Sequence, residues 1–454
     1  MTPVLRLKFA LLTFQRFISS GSKKQRVVIV GSGWGGFRCA SDIDKRQNNV
    51  HIVSPRNHFL FTPLLPSTAV GTLEFRGIQE PVRNIRGLQY EQAYVNSINF
   101  DEKVVQCSDA FAHGHTFTLP YDVLVLATGS ETATFGTPGI AHYRGDPSQS
   151  HVYYLKQLEH SRAIRDRLIE CFERASSPGV LPPEQQQLLT FVVVGGGPTN
   201  IEFASELFDF LSRDVARLYP DLHGRASVLL VEAGPKILGS FHANIGAYVS
   251  STFKKRKIKV LVGRAVKRVV NDTAELDNGE MIPFGLLVWS AGNQPTHLIS
   301  SLSKDSVKRH PGNGRVVVNP SLQLLSPTGV PVPGVFALGD CAADQVKPLP
   351  ALAQVAQQQG AFLAAQINSG DKGASFVYRH LGAMMAVGNF KGVYDSTGIG
   401  TEAIHFDGPQ VTGFIAFVLW RAAYWTKSVS LQNKLLLAMY WFKSFVFGRD
   451  VSRF

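Results

Sequence analysis

Six short runs of apolar residues, each ending in glycine or another small residue, dominate the hydrophobic pattern of the chain. They lie at Val27–Val30, in YDVLVLATGS (121–130), at Phe191–Val194, in ASVLLVEAG (226–234), in FGLLVWSAGN (284–293) and in GVFALGDCA (334–342). Unbroken apolar runs of this length, without alternation, predict strands buried on both faces of a parallel sheet. A different period governs Leu349–Gln366, a stretch with five glutamines and no charge. On a 3.6-residue turn, Leu352, Val355, Phe362 and Leu363 share one side as a core face. Gln354, Gln358, Ala361 and Ala365 form the opposite stripe. Taken alone, that stripe reads as a solvated helix face.

Two of the strand runs lead into glycine-rich turns followed by helices. The first reads Gly31-x-Gly33-x-x-Gly36; the second is Gly195-x-Gly197 with Pro198 in the first helical turn, where its missing N–H costs little. Such turns bring backbone N–H groups up to a pyrophosphate at a helix N-terminus. The pattern predicts an α/β fold with two Rossmann-like dinucleotide-binding domains in tandem. After the first turn, the next strand ends in Ser54 and Arg56 and not in an acid, so a hydroxyl or the backbone is expected to hold the first ribose. After the second, a long helix from Pro198 to about Tyr219 precedes the strand that ends in Glu232. A carboxylate there accepts both ribose hydroxyls and repels a 2′-phosphate, which favours NADH over NADPH. Asn200 occupies the usual third-glycine position and is expected to loosen helix–strand packing.

Charge narrows the partners. The chain of 454 residues carries a formal net charge of +12, yet six Lys/Arg without an acid fall in residues 1–26, and six against Asp450 alone fall in 411–454. The body between is close to neutral, whereas a nucleic-acid binder carries its basic stripe on the folded body. No nucleic-acid partner is expected. Residues 1–22 are basic, acid-free and loosely amphipathic, in the manner of a mitochondrial presequence. The four cysteines, Cys39, Cys107, Cys171 and Cys341, include no CxxC pair and read as buried small hydrophobes. No metal site and no membrane-spanning helix is expected. FIAFVLWRAAYWTKS and LLLAMYWFKSFVFGR are broken by Lys or Arg before they reach the ~20 residues needed to span. They predict interfacial helices with Trp420, Trp425 and Trp441 at headgroup level and Lys434 and Lys443 reaching outward. A dimer interface made by the same aromatics is the alternative.

A Gly-rich turn, ATG, a second Gly-rich turn, a second ATG-like turn and GD, in this order, resemble the flavoproteins with two dinucleotide-binding domains. More specifically, SPRNHFLFTPLLPSTAVGT (54–72), GGGPTNIEFASEL (195–207), ALAQVAQQQG (351–360) and FGRDVSR (447–453) resemble the type II, or alternative, NADH:quinone oxidoreductases of mitochondria and bacteria. The resemblance implies FAD held by Gly31, Gly33, Trp34, Gly35, Gly36, Ser54, Arg56, Thr62, Thr128, Gly129, Gly339 and Asp340. It implies NADH held by Gly195, Gly197, Pro198, Thr199, Glu232, Ala291 and Gly292. Gln354 and Gln358 then lie beside flavin and quinone, where a neutral amide suits an uncharged acceptor, and Glu202 lies close to the nicotinamide.

The implied organisation is a presequence at 1–22, an FAD domain at 27–150 and 316–410, an NADH domain at 151–315, and a C-terminal amphipathic helical region at 411–454 that meets a membrane surface or a second copy in a homodimer. The implied activity moves a hydride from NADH to FAD and two electrons on to ubiquinone without pumping protons, peripherally bound at the mitochondrial inner membrane. Gln359, where an acid is common, and Tyr440, where Asp is common, are departures. Two other readings use the same motifs: a soluble NADH:acceptor reductase, and a signalling flavoprotein that senses nucleotide.

Overall fold

The computed structural model describes residues 24–112, 114–140, 150–371 and 373–452, so the expected presequence lies outside the described residues. Gln89–Glu91, Asn48–Val53, Gln25–Val30, Val123–Leu126 and Pro331–Ala337 run side by side in parallel, and Gln323–Leu325, Val316–Val318 and Ala342–Asp344 extend the sheet beyond them. A second sheet, wholly parallel, has the order Val152–Tyr154, Leu286–Trp289, Thr190–Val194, Ser227–Glu232, Lys259–Val262. The first sheet is therefore assembled from both ends of the chain and the second from the middle. Each predicted apolar run is a strand, and Val27, Ile29, Leu124, Val125, Val193, Leu287 and Val335 are completely buried. The chain passes between the sheets twice, and Ser130–Thr132 pairs antiparallel with Asn293–Pro295 at the crossing. In sheets of this kind ligands sit beyond the carboxyl ends of the strands, where the glycine turns are.

The glutamine stretch forms the helix Ala353–Ser369, closed by Gly370 in the left-handed conformation. It packs on the helix Trp34–Asp42 that follows the first glycine turn. The two helices meet where a Cβ added at Gly360 would lie 2.4 Å from the Gly35 carbonyl oxygen, so only glycine permits this separation. Val355 and Leu363 face the core as predicted, but Leu352 precedes the helix as its N-cap and is exposed.

Beyond Phe210, the helix that starts at Pro198 continues through a π turn at Leu211–Val215 to Leu218. The expected long helix is present. Asp214, inside the π turn, accepts from the Arg449 N–H (2.9 Å) and from Arg449 Nη1 (2.9 Å), a use of a π turn to redirect a side chain. Asn200 corrects an expectation. It is fully buried, and its Nδ2 donates to the carbonyls of Val194 (2.8 Å) and Gly195 (2.9 Å). The side chain fills the gap that a glycine would leave and ties the helix to the strand end, so packing is tight and not loosened.

Phe414–Lys427 and Leu431–Phe447 are the two predicted C-terminal helices. Their tryptophans do not share one surface. Trp420 and Trp441 are 3% and 8% exposed, and only Trp425 (41%) faces outward. The inward pair completes a ring cluster with Phe417 and Tyr424, a gain in buried aromatic area that an interfacial position would forgo. Lys434 lies over the Trp425 ring at 5.9 Å. Tyr440 packs its ring onto Gly77.

Replacing Asn200 by the glycine usual at this position should destabilise the protein by about 1–3 kcal/mol, through two lost hydrogen bonds and the glycine helix penalty. Thermal unfolding of Asn200→Gly measures this, and an unchanged midpoint would contradict it.

Candidate active site

The first glycine turn is built to let something approach. Gly31 has φ +109°, and a Cβ there would stand 2.3 Å from the Ala127 carbonyl oxygen; at Gly36 it would stand 2.0 Å from the Gly31 carbonyl oxygen. These two glycines serve the packing of the turn and the neighbouring strand end, and Gly35 serves the packing against Leu338 and Ala356. Gly33, the helix N-cap, and Gly129, at φ +70° after the neighbouring strand, have no atom within 4 Å of where a side chain would begin. The open space beside these two marks the cradle. Trp34 donates from Nε1 to Thr62 Oγ1 (3.0 Å) and lies against Phe59 and Phe61. Ser54 is buried, its hydroxyl shared with Ser32 Oγ (2.9 Å) and accepting from the Arg56 N–H. It orders the turn from beneath. At the same strand end, the Arg56 guanidinium is held by Gln157 Oε1 (2.5 Å).

The GD turn reaches the same cradle from the last strand of the motif series. Gly339 has φ +72°, and a Cβ there would meet Ala356 of the glutamine helix at 3.2 Å. Gln359, buried on that helix, accepts from the Gly339 N–H (2.7 Å). The glutamine that replaces a commoner acid thus fixes the turn that carries Asp340. Asp340 Oδ2 accepts from Ser130 Oγ (2.9 Å), and Ser130 Oγ in turn accepts from Lys156 Nζ (2.8 Å). Lys156 also donates to Asn293 Oδ1 (2.6 Å), so one cation joins both chain crossings. Nothing in the local sequence around Lys156 announced this. Thr128 hydrogen-bonds Thr296 across the same crossing (3.2 Å).

Gln354 and Gln358 are each engaged by backbone. Gln354 accepts from the Leu381 N–H (3.1 Å) and donates to the Gly382 carbonyl (3.2 Å); Gln358 accepts from the Arg379 N–H (3.0 Å) and donates to the Arg379 carbonyl (2.9 Å). The two amides dock the extended segment 379–382 as a neighbouring strand would. This is a task that periodicity could not show. Each amide retains a second N–H and a second lone pair.

The second cradle follows the same plan. Gly195 has φ +112°, with Ala291 and Ser290 close behind it, while Gly197 borders open space. Gly197 and Pro198 are exposed, Thr199 is half-buried, and Gly292 (φ +70°) lies against Phe135. Glu232 ends the strand beside the central one and takes backbone N–H groups from Gly196 and, at 2.6 Å, from Gly234. It borders a cavity of about 260 Å³ lined by Gly196, Gly197, Lys236 and Ser240 among others. One face of the carboxylate is thus fixed by the loop, and the other is free for a ligand.

Glu202, one turn into the helix from Pro198, is 6% exposed. Its Oε1 accepts from the Ala386 N–H (3.0 Å) and from Trp420 Nε1 (3.2 Å). Burial pushes its carboxyl up to about 8, against which these two hydrogen bonds act. A first-turn acid serving only the helix dipole would stay exposed. Glu202 instead joins the second cradle's helix to the C-terminal helices.

The C-terminal FGRD segment closes the arrangement. Arg449 bridges Glu206 (3.0 Å) and Asp214 (2.9 Å), with its side chain 8% exposed, and also donates to Thr72 (2.8 Å). Asp450 pairs with the buried Arg165 (3.3 Å), which also meets Glu74. All four cysteines are buried and free. Burial raises each thiol, Cys39 to about 12. This removes thiolate chemistry from the site. Among the described residues no cluster of potential metal ligands exists.

Comparison with known proteins agrees with this geometry. The family described as pyridine nucleotide-disulphide oxidoreductase matches residues 25–360, and the NDH2 C-terminal domain matches 380–450. The chain is 39% identical to a probable NADH dehydrogenase of Dictyostelium discoideum, over 95% of this chain and 92% of that one. It is 36% identical to the internal alternative NAD(P)H-ubiquinone oxidoreductase A1, mitochondrial, of Solanum tuberosum, covering 96% and 89% respectively. The NDH2 structure from Plasmodium falciparum in complex with NADH superposes with a TM-score of 0.83 at 23% identity, covering 95% of this chain and all of that one. With both family regions matched in order and relatives aligned over nearly their whole length, the chain belongs to the type II, or alternative, NADH:ubiquinone oxidoreductases of the pyridine nucleotide-disulphide oxidoreductase family.

Proposed function

We propose that this chain oxidises NADH through a bound FAD and reduces ubiquinone at the surface of the mitochondrial inner membrane, without moving protons across it. The observation that carries the reading is the pair of open glycine cradles on either side of the two paired chain crossings, with the glutamine helix packed behind the first. FAD fits the first cradle on this chain's own terms. Open space at Gly33 and Gly129 admits a pyrophosphate, and the Asp340 carboxylate, steadied by Ser130 and Lys156, is placed for ribityl hydroxyls. FAD, when bound, supplies the acceptor for hydride and the donor of two electrons. The second cradle takes NADH, with the free face of Glu232 toward its ribose.

What the residues contribute is position and proton supply. Gln354 and Gln358 hold segment 379–382 and offer their remaining amide groups to a neutral quinone. Glu202 keeps its proton at neutral pH and accepts from Trp420 on its other carboxyl oxygen, Oε1, so it links nicotinamide side and membrane side. Phe414, Ile415, Leu431, Leu435, Phe442 and Phe445 are each more than 60% exposed on the C-terminal helices. Among the described residues no helix is long and apolar enough to cross a membrane. This surface is proposed to lie on lipid, with part of it available to a second copy in a homodimer. Relatives from potato and yeast are named as mitochondrial, and the basic segment 1–22 is read as the targeting sequence.

Steady-state oxidation of NADH by a short-tail ubiquinone, on flavin-loaded protein, is the direct test. Rapid turnover is expected; turnover with artificial dyes alone would favour the soluble-reductase or sensor readings. NADH should be strongly preferred over NADPH. In Glu232→Gln the preference should fall by about 10-fold or more as repulsion of the 2′-phosphate is relieved, with a higher KM for NADH because one loop N–H loses its acceptor. Equal use of both nucleotides by the unaltered protein would refute the Glu232 assignment.

Glu202 carries a pH signature. Its carboxyl rises from 4.5 to about 8 on folding, so the native state holds a proton that the unfolded chain has lost between those values. Stability therefore falls as pH rises through that window. Flavin reoxidation that draws on this proton should decline above about pH 8. Glu202→Gln keeps the carbonyl acceptor and removes the titration, so both slopes should flatten in stopped-flow and unfolding measurements. Identical pH profiles for the two proteins would eliminate this role.

A further inference from the structure

From Ala233 to Asn271 the sequence carries nine Lys or Arg and no Asp or Glu. The run is hidden in a body whose overall charge is nearly balanced. Some of these cations have carboxylate partners: Arg256 pairs with Asp209, Lys259 with Glu280, and Lys267 and Arg268 with Glu275. Lys254, Lys255 and Lys257 are exposed and, among the described residues, have no carboxylate partner. They close the helix Ala243–Lys255 and the turn after it.

These lysines stand apart from the nucleotide cavity. Lys259–Val262 runs parallel to Ser227–Glu232, whose last residue borders that cavity. Lys257 precedes the first residue of its strand, so the lysines lie toward the opposite end of the sheet.

Their helix is tied to the apolar surface through Arg256 and Tyr248. Arg256, between Lys255 and Lys257, pairs with Asp209, which accepts from the Asn389 N–H (2.6 Å). Phe390, the next residue, meets Phe417 at 5.6 Å and Phe445 at 5.9 Å on the two C-terminal helices. Along the same helix, a Cβ on Gly413, which precedes Phe414, would come within 4.0 Å of the Tyr248 hydroxyl. The basic helix end and the exposed aromatic face are therefore joined through two packed contacts. Meanwhile the C-terminal segment spends part of its own charge internally: Arg449 is enclosed by Glu206 and Asp214, and Arg421 lies over both Phe417 and Trp441 at 4.7 Å. The cations that this segment turns inward cannot reach lipid.

We propose that Lys254, Lys255 and Lys257 form a second membrane contact, in which the central, nucleotide-side domain binds anionic lipid headgroups beside the apolar face of the C-terminal helices. The proposal rests on the reading of that face as lipid-bound. The apolar face supplies insertion, and the lysines select for negative surface charge and fix how the molecule rests on it. Each lysine near an anionic surface strengthens binding roughly 5-fold, and three together on the order of 100-fold.

The test is sedimentation of the full-length, flavin-loaded protein with phosphatidylcholine vesicles and with vesicles enriched in phosphatidylglycerol. The triple variant Lys254→Gln, Lys255→Gln, Lys257→Gln should lose on the order of 100-fold in binding to the anionic vesicles, bind neutral vesicles like the original, and oxidise NADH with a water-soluble quinone at an unchanged rate. Lys304→Gln, an exposed cation elsewhere, should change nothing. Binding of the triple variant to anionic vesicles at the original strength would overturn the proposal. A second variant, Phe414→Ser with Ile415→Ser, separates it from the reading beneath: that variant should weaken on both vesicle types. If it binds neutral vesicles as the original does while the lysine variant loses anionic binding, the lysine contact stands and the apolar-face reading fails. If the original protein binds neither vesicle, both fail.

Discussion

The arrangement depends on one close approach, the contact of Gly360 with the backbone of Gly35. Without side chains at this point, the helix behind the first glycine turn and the glutamine helix come together at backbone distance. Everything around the first cradle is set from there. Gln359 reaches the Gly339 N–H, Ala356 fits against Gly339, and the GD turn is placed beside Gly33 and Gly129. A single added methyl group would meet a carbonyl oxygen and not a flexible side chain, so the helices would have to separate. The closeness of the two helices thereby helps to set where the GD turn stands relative to the glycine turn.

A second constraint is electrostatic. Glu206, Asp214 and Arg449 form a largely desolvated cluster, and nearby the buried Arg165 pairs with the half-buried Glu74 and Asp450. Taking such charges from water costs much of what their attraction returns, so their effect is mainly to specify one docking of the C-terminal segment. Removing one partner would strand the others. Through this docking, the end of the last helix is tied to the helix of the second cradle, and Trp420 is brought to Glu202. Burial there raises the Glu202 carboxyl, and the hydrogen bond from Trp420 opposes that rise.

The two ends of the molecule are also joined by aromatic packing. Trp34, on the first glycine turn, lies against Phe61; Phe61 meets Tyr424, and Tyr424 meets Trp420. An apolar wall therefore runs from the first cradle to the exposed face of the C-terminal helices. It suits the family's chemistry, in which a water-soluble donor and a lipid-soluble acceptor must use one cofactor without mixing phases.

The order of strands and glycine turns was legible in the sequence, because it rests on local requirements. Gly31 and Gly36 leave no room for a Cβ, and apolar runs such as Val27–Val30 need burial on two faces; both demands are written within a few residues. The glutamine helix and the two C-terminal helices were legible for the same reason, as periodicity is local. What the sequence could not state was which partner each side chain would find. Asn200 was expected to loosen packing, yet it bonds Val194 and Gly195 because the turn presents two carbonyls to it. Gln354 and Gln358 proved to hold residues 379–382, more than twenty positions away. Trp420 and Trp441 turned inward because a ring cluster and the Glu202 carboxylate offered more than an interface did. Lys254, Lys255 and Lys257 were concealed by the near-neutral charge of the body between the termini until folding linked their helix end, through Arg256 and Asp209, to the segment that carries Phe390. Each of these outcomes depends on contacts between residues distant in the chain, and burial, hydrogen-bond choice and pKa acquire their values only when tertiary packing excludes water from those contacts.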